Sequence, residues 1–496
     1  MEPDTIKVVL YSHDSQGLGH VRRNLAIAHH LAAHLPALTG KAVAGLLISG
    51  LAPTHRFPLP AGFDWVTIPG VSKGKNGYQA RHLATKTGSL IHLRSQLLEA
   101  SLLGFAPDLL IVDRHIYGVW NELRRPLEKL RAAHPHSRVV LGLREVLDTP
   151  AVAAGEWEAL GDPLLMRGLV DQVWVYGDAR VHNMIATGEA PASLADRIRF
   201  TGYLAKGRRV TDAASTDPDV PYILTTAGGG QDGTALLVAA ARAEVPAGYR
   251  HLVVTGPQIS DADFEQVAAG AEERTEVIRS LPGLGRHISY ASAVIAMGGY
   301  NTICEILATD TPALVVPREA PRREQLIRAQ ALASVGAVDY LRTPEVSTEA
   351  LSTWLATAVG RTVTRDHLDR AGLEQIPGLA LRLLHAPNGG QQGEQLYDVA
   401  PAASTPPATA IAAAASPPAG RRTAEPRFEA PGLAPSRFEG PHFDAAPRFD
   451  GPRFDGPRFN GTGAGTSIHF YSPARPEPAR AALVANPTRT NLGGAR

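Results

Sequence analysis

The feature that most restricts the fold is an alternation that begins at Ile6 and recurs as far as Val316. Short apolar runs rich in β-branched residues, Ile6 to Ser12, Val43 to Ser49, Trp65 to Ile68, Leu109 to Val112, Val139 to Leu143 and Val173 to Tyr176, are separated by longer stretches of helical periodicity. Strands that alternate with helices predict an α/β architecture, a parallel sheet covered on both faces. After Thr201-Gly202-Tyr203 the chain turns polar and charged over 204–219, and the alternation restarts with Tyr222 to Thr225, Leu252 to Thr255, Val294 to Met297 and Ala313 to Val316. Two doubly wound, Rossmann-like domains are therefore expected, over 1–203 and 220–365, joined by the linker 204–219. A closing helix is expected over 366–386. Two such domains face each other across a cleft, and ligands sit beyond the carboxyl ends of the strands.

Composition fixes what surrounds this core. The chain has 496 residues, 49 Lys+Arg and 48 Asp+Glu, so a formal charge of +1 gives no basic excess for a nucleic-acid partner. Cys304 is its one cysteine and forms no internal disulfide. The amino terminus enters Ile6 to Tyr11 without a basic flank or cleavage signal, and the longest apolar stretches are broken by Lys41 or Asp108. A cytoplasmic protein is expected, with peripheral attachment at the inner face of a membrane left open. Beyond about His385 the composition changes: 16 of the 39 prolines fall in 391–496. There Pro447-Arg448-Phe449-Asp450-Gly451 begins a run of five-residue repeats. Their period matches neither helix nor strand, and proline at every repeat removes ladder donors, so 387–496 is expected to be a disordered tail. Its Phe and Arg side chains suit weak protein contacts.

Three strand-to-helix junctions carry the candidate chemistry. The first, Ser12 to His20, contains Gly17 and Gly19, which let the backbone turn tightly and present amides at a helix start. The second places Gly228, Gly229, Gly230, Gln231 and Gly233 between a strand and the run Ala235 to Ala241. It lacks the Lys-Ser/Thr ending of an ATPase loop, and glycines kept beside a helix start suit a phosphate. At the third, Gly298 and Gly299 open a helix in which Glu305 lies about two turns along, offering amides for a diphosphate and a carboxylate for ribose hydroxyls.

Together these junctions resemble the MurG-type glycosyltransferases of family 28, which have the two-domain GT-B fold and move N-acetylglucosamine from UDP-N-acetylglucosamine to a lipid-linked acceptor. The resemblance spans most of residues 5–340. It rests on Gly17-Leu18-Gly19-His20, on Gly228-Gly229-Gly230-Gln231, on Gly299 to Glu305 with Thr302 between, on Val316-Pro317 followed by Gln325, and on Glu145 five residues before Pro150. It implies that Glu305 holds the ribose, that the glycine junctions hold the diphosphate and that Gln325 meets the donor sugar. His20 and Glu145 would face the acceptor. The chain departs from the pattern at Arg22-Arg23, where a proline is usual after the first-loop histidine, at Glu324 in place of a glutamine, and at Arg144 to Leu147.

The expected reaction is an inverting, metal-independent transfer from a UDP-sugar co-substrate, with no other cofactor, to an acceptor that is lipid-linked or anionic. His20 is the expected base, Glu145 or Asp113 its alternative, and Arg22, Arg23 and Arg144 are cations for the acceptor. A nucleotide-sugar 2-epimerase and a non-catalytic sugar-nucleotide scaffold use the same cleft and stand as rivals. Weaker signals are read as structural: Gly70 to Gly74 has nucleophile-elbow spacing but no following helix, His30 and His34 lack a third ligand, and Asp261-Ala262-Asp263 starts a helix.

Overall fold

The computed structural model describes residues 4–12, 19–51, 58–74, 77–208, 220–230 and 232–386, which belong to one compact unit. Gly17, Gln231, most of the linker and the whole tail lie outside the described residues.

The amino-terminal half contains β1 (Thr5–Tyr11), β2 (Ala42–Ser49), β3 (Phe63–Thr67), β4 (Val71–Gly74), β5 (Gly77–Ala80), β6 (Leu109–Asp113), β7 (Arg138–Arg144), β8 (Gln172–Tyr176) and β9 (Ile198–Phe200). Seven of these form one sheet in the order β3-β2-β1-β6-β7-β8-β9, and each neighbouring pair is parallel. The carboxyl-terminal half contains β10 (Tyr222–Thr226), β11 (Arg250–Val254), β12 (Thr275–Ile278), β13 (Ala293–Ala296), β14 (Ala313–Val315) and β15 (Asp339–Tyr340). These form a second parallel sheet in the order β12-β11-β10-β13-β14-β15. Both sheets are doubly wound, and each reverses direction at one place, between β1 and β6 and between β10 and β13. A crevice opens at such a reversal because the two flanking crossovers leave on opposite faces.

β4 and β5 pair antiparallel as a separate hairpin. Gly70 to Gly74 therefore leads into a hairpin and not into a helix, which removes the nucleophile-elbow geometry.

The helix Gly19–Thr39 buries Leu25, Ala28, Leu31 and Leu35 at three- and four-residue spacing. Leu31 is fully buried, and its truncation to Ala would cost about 2–5 kcal/mol. The helix Gly372–His385 turns Leu373, Ile376, Ala380 and Leu383 inward and packs against Gly19–Thr39, so the chain returns to the amino-terminal half. Leu204 and Ala205, at the start of the expected polar linker, are buried instead. The strip 203–206 is hydrogen-bonded to 369–372 through Tyr203 N–H to Asp369 O, Lys206 N–H to Arg370 O and Gly372 N–H to Tyr203 O. One hydrophobic cluster thus contains Leu10 and Leu31 from one half, Ile303 and Leu332 from the other, and Leu204 and Leu373 between them. Among the described residues no helix is long and apolar enough to cross a membrane.

Candidate functional site

The crevice of the first sheet brings two of the expected residues into contact. Asp113 is the last residue of β6, and His20 lies in the first turn of the helix that follows β1. His20 Nδ1 and Asp113 Oδ2 are 2.6 Å apart. Asn24 fixes the helix start by donating to the Tyr11 carbonyl and Ser12 Oγ, each at 3.0 Å. Asp113 is fully buried and also accepts from Arg23, whose Nη2 lies 2.7 Å from both carboxylate oxygens. Burial alone would raise the Asp113 pKa, but Arg23 and His20 override it and hold the carboxyl well below the usual range. Asp113 is thus held as a carboxylate beside His20. Burial pushes the His20 pKa below the ordinary histidine value, Asp113 opposes that shift, and Arg23 and Arg144 add to it. A neutral imidazole in this contact donates from Nδ1 and carries its basic lone pair on Nε2.

The crevice of the second sheet is lined by backbone. Gly228 and Gly230 have φ of 67° and 90°, a region L side chains rarely adopt. The loop lies on Gly256, where a Cβ would come within 2.6 Å of the Gly228 carbonyl oxygen, Gly229 C and Gly230 N. The helix Thr234–Ala241 follows, and Gly233 at its cap makes no side-chain hydrogen bond. After β13, Gly299 caps the helix Tyr300–Leu307, again without a capping side chain. Two helix amino termini thus carry first-turn N–H groups that their helices leave unsatisfied. A Cβ on Gly298 would meet Gln325 Cβ and O at 3.1 Å, so this glycine admits the segment carrying Gln325. Thr302 and Glu305 are buried on the same helix. Glu305 Oε2 has no hydrogen-bond partner among the described residues.

The two crevices are tied together. Arg22 pairs with Glu305 Oε1, Asn301 Nδ2 donates to the Gly19 carbonyl at 3.0 Å, and Arg208 donates to Asn301 Oδ1 at 3.2 Å. Tyr300 donates from its hydroxyl to the Tyr176 carbonyl at 2.8 Å. The guanidiniums of Arg23 and Arg328 lie 5.5 and 5.7 Å from its ring centroid. Glu145 follows β7 and is fully buried against Arg328, with Oε1 2.6 Å from Nε. Arg328 also donates to the Gly298 carbonyl at 2.9 Å. Its own burial would lower its pKa, but Glu145 outweighs that and raises it. His20 and Asp113 are therefore brought together, whereas Glu145 is held in a pair between the sheets. Of the three arginines expected to meet an acceptor, Arg23 is engaged by Asp113 and Arg22 by Glu305.

Gln325 accepts from the Arg318 backbone N–H at 3.2 Å, and its neighbour Glu324 accepts from the Arg318 side chain at 2.6 Å. Glu324 Oε2 is buried without a partner among the described residues. Asp261 sits in the first turn of the helix Asp261–Ala269, and Asp263 at its start engages the capping Ser260. His30 stacks on His34 and contacts the Gly207 carbonyl at 2.7 Å. Among the described residues, no group of three or more His, Cys, Asp or Glu could hold a metal ion.

Arg328 and Tyr300 have no signal in the sequence reading, although they connect the two crevices. An Arg on an ordinary helical stripe and a Tyr after two glycines read as surface and packing residues. Their partners Glu145 and Tyr176 are distant in the chain, so only the fold pairs them.

A dyad of His and buried Asp can take a proton, and two glycine-capped helix starts can receive an anion a short distance away. Residues 227–363 match the glycosyltransferase family 28 C-terminal domain. The UDP-N-acetylglucosamine--N-acetylmuramyl-(pentapeptide) pyrophosphoryl-undecaprenol N-acetylglucosamine transferase of Cronobacter sakazakii is 23% identical over 385 residues, covering 74% of this chain and 93% of that protein. The Salmonella typhi protein of the same name is 25% identical over 351 residues, covering 68% of this chain and 85% of its own length. Among solved structures, Acinetobacter baumannii MurG has a TM-score of 0.43 at 16% identity and covers 77% of this chain and 96% of its own.

Proposed function

We propose that this chain, a MurG-like glycosyltransferase with a family 28 C-terminal domain, transfers a sugar from a UDP-sugar of the UDP-N-acetylglucosamine type to a lipid-linked or otherwise anionic acceptor, with inversion and without a metal. The observation that carries the reading is the 2.6 Å contact between His20 and buried Asp113, at the start of the same helix that Arg22 joins to Glu305. Proton chemistry in one crevice and a nucleotide-ready carboxylate in the other are thereby joined.

In this reading Glu305 accepts from the ribose hydroxyls, using an oxygen that otherwise lacks a partner. The loop 228–230 and the start of the helix Tyr300–Leu307 receive the diphosphate. An acceptor hydroxyl gives its proton to His20 Nε2 as its oxygen attacks the anomeric carbon from the face opposite the diphosphate. The bond from that carbon to the diphosphate oxygen breaks, and the departing UDP carries the electron pair. Asp113 stabilises the imidazolium that forms, and the two helix dipoles stabilise the leaving anion. One displacement inverts the anomeric centre.

The test is UDP release from UDP-N-acetylglucosamine in the presence of a membrane extract, with wild type and His20→Ala compared and product configuration read by NMR. Extract-dependent release that the variant loses, with inversion, is expected. Conversion of the UDP-sugar to its 2-epimer without extract would make the chain an epimerase, and binding without turnover would make it a sensor.

A further inference from the structure

Arg144 differs from every other arginine around it. It ends β7, the strand that pairs with β6 so that Asp113 lies opposite Gly142. Its neighbours each hold a carboxylate: Arg23 holds Asp113, Arg114 holds Glu156 at 2.7 Å, Arg328 holds Glu145, and Arg318 holds Glu324. Arg144 has no such partner among the described residues, and its Nε is buried without a hydrogen bond. Arg144 is partly buried, and its Nε gives up hydration without gaining an acceptor, an unfavourable setting for a guanidinium N–H. Burial and the charge of Arg328 lower the Arg144 pKa to about 9, with Arg114 and Arg23 reinforcing the shift and Glu324 opposing it. Even so depressed, the group is a cation at neutral pH.

Its position gives this unpaired charge a use. Arg144 lies two residues beyond Gly142, the partner of Asp113 across β6 and β7, and directly precedes Glu145, whose partner Arg328 lies on the helix Glu324–Ser334. It therefore stands between the expected base and the helix start that carries Gln325, where a sugar passes from donor to acceptor. Glu324 Oε2 is buried without a partner among the described residues, yet Arg144 forms no ion pair with Glu324, so these groups do not satisfy each other. Arg22 and Arg23 cannot substitute, since each is held by a carboxylate.

We propose that Arg144 is the receptor for an oxyanion, a carboxylate or phosphate, that a substrate carries beside the point of sugar transfer. This rests on the glycosyltransferase reading and narrows it: the chain selects a substrate with negative charge next to the reacting centre. That charge has two sources. It is either a carboxylate on the donor sugar, as in UDP-glucuronate, or an anion on the acceptor next to the attacking hydroxyl. Planar, bidentate recognition by Arg suits both.

Calorimetric titration with UDP, UDP-glucose and UDP-glucuronate, on the full chain and its Arg144→Met and Arg144→Lys variants, separates these. UDP itself is expected to bind all three proteins within about twofold, because the ribose carboxylate Glu305 pairs with Arg22 and not with Arg144. If the anion is on the donor, UDP-glucuronate binds wild type about tenfold or more tighter than UDP-glucose, and the preference disappears in Arg144→Met and survives in part in Arg144→Lys. If it is on the acceptor, the two UDP-sugars bind alike, while inorganic phosphate titrated into UDP-saturated wild type binds and loses about tenfold in Arg144→Met. Wild type that shows neither a glucuronate preference nor phosphate binding, or an Arg144→Met variant that retains whichever is seen, overturns the proposal. Failure of UDP to bind wild type would instead sink the glycosyltransferase reading beneath it.

Discussion

Arg22 and Glu305 are 283 positions apart in the chain and form an ion pair, one from each half. The residue two places beyond His20 thus touches the carboxylate that is the candidate for the ribose. Arg22 occupies only Oε1, and Oε2 is left buried and unmatched.

From that arrangement, Glu305→Ala should weaken UDP binding by about 1.5–3 kcal/mol, the range for hydrogen bonds to a charged group. Glu305→Gln should keep part of the affinity. Calorimetry on folded variants reads this directly, and unchanged affinity in Glu305→Ala would remove the ribose role.

His20→Ala should leave UDP affinity nearly intact and lower turnover by about 10²-fold or more, the usual contribution of general base catalysis. Asp113→Asn should lower turnover as well, because it removes the anion that orients the Nδ1 proton. Since Asp113 also anchors Arg23, that variant needs a melting curve beside its kinetics. Wild-type turnover in a folded His20→Ala protein would move the base elsewhere.

The pH profile follows from the direction of the His20 shift. A base acts when neutral, and burial lowers the His20 pKa below 6.5, so the acidic limb of kcat/KM should lie below the ordinary histidine value. An acidic limb centred above pH 6.5 would contradict the environment described for His20.

Stability should depend on pH through a different histidine. His251 on β11 is 1% exposed, contacts Thr225 Oγ1 at 2.8 Å, and is lowered by burial to about 4 from 6.5. Between those values the unfolded chain binds a proton that the folded chain refuses. Its contribution is present above pH 6.5 and is lost as pH falls towards 4, by something on the order of 3 kcal/mol. Denaturant unfolding at several pH values should show this fall, and His251→Asn should flatten it.

The buried Glu145 and Arg328 should be far more sensitive to single than to paired replacement. Glu145→Gln leaves Arg328 uncompensated and should cost about 3–5 kcal/mol, whereas replacing both by apolar residues of similar size should cost much less. Equal losses for the single and double variants would mean that the pair carries no coupling.

Most of the strands legible in the sequence are central ones, although the edge strand β3, only partly buried, was marked by Trp65 and Val66. β1, β6, β7, β8, β10 and β13 are continuous apolar runs because a central parallel strand meets helices above and below. β12 and β15 carry no such signal: they are sheet edges of four and two residues, only partly buried. The glycine junctions were legible for a related reason, since a positive φ or a close backbone approach leaves a mark in the residue type itself. The dyad was legible in its members but not in its contact, as His20 and Asp113 are 93 positions apart and meet only because β1 and β6 are adjacent. Glu145 shows the limit. Its residue type suits an acceptor-facing acid, and the Arg328 that holds it is invisible until the second sheet is placed against the first.

The helix Gly372–His385 closes the body by returning to the half where the chain began. The amino-terminal half is therefore not one contiguous stretch of gene. An exchange of donor-side sequence between relatives that stopped at residue 365 would leave the recipient's own final helix to seat on its own first one, and would preserve the packing of both. An exchange carried through to the last helix would bring a foreign surface onto Gly19–Thr39, the helix that positions His20. Chimaeras cut on either side of this segment should thus differ in activity even though the segment itself carries none of the candidate site residues.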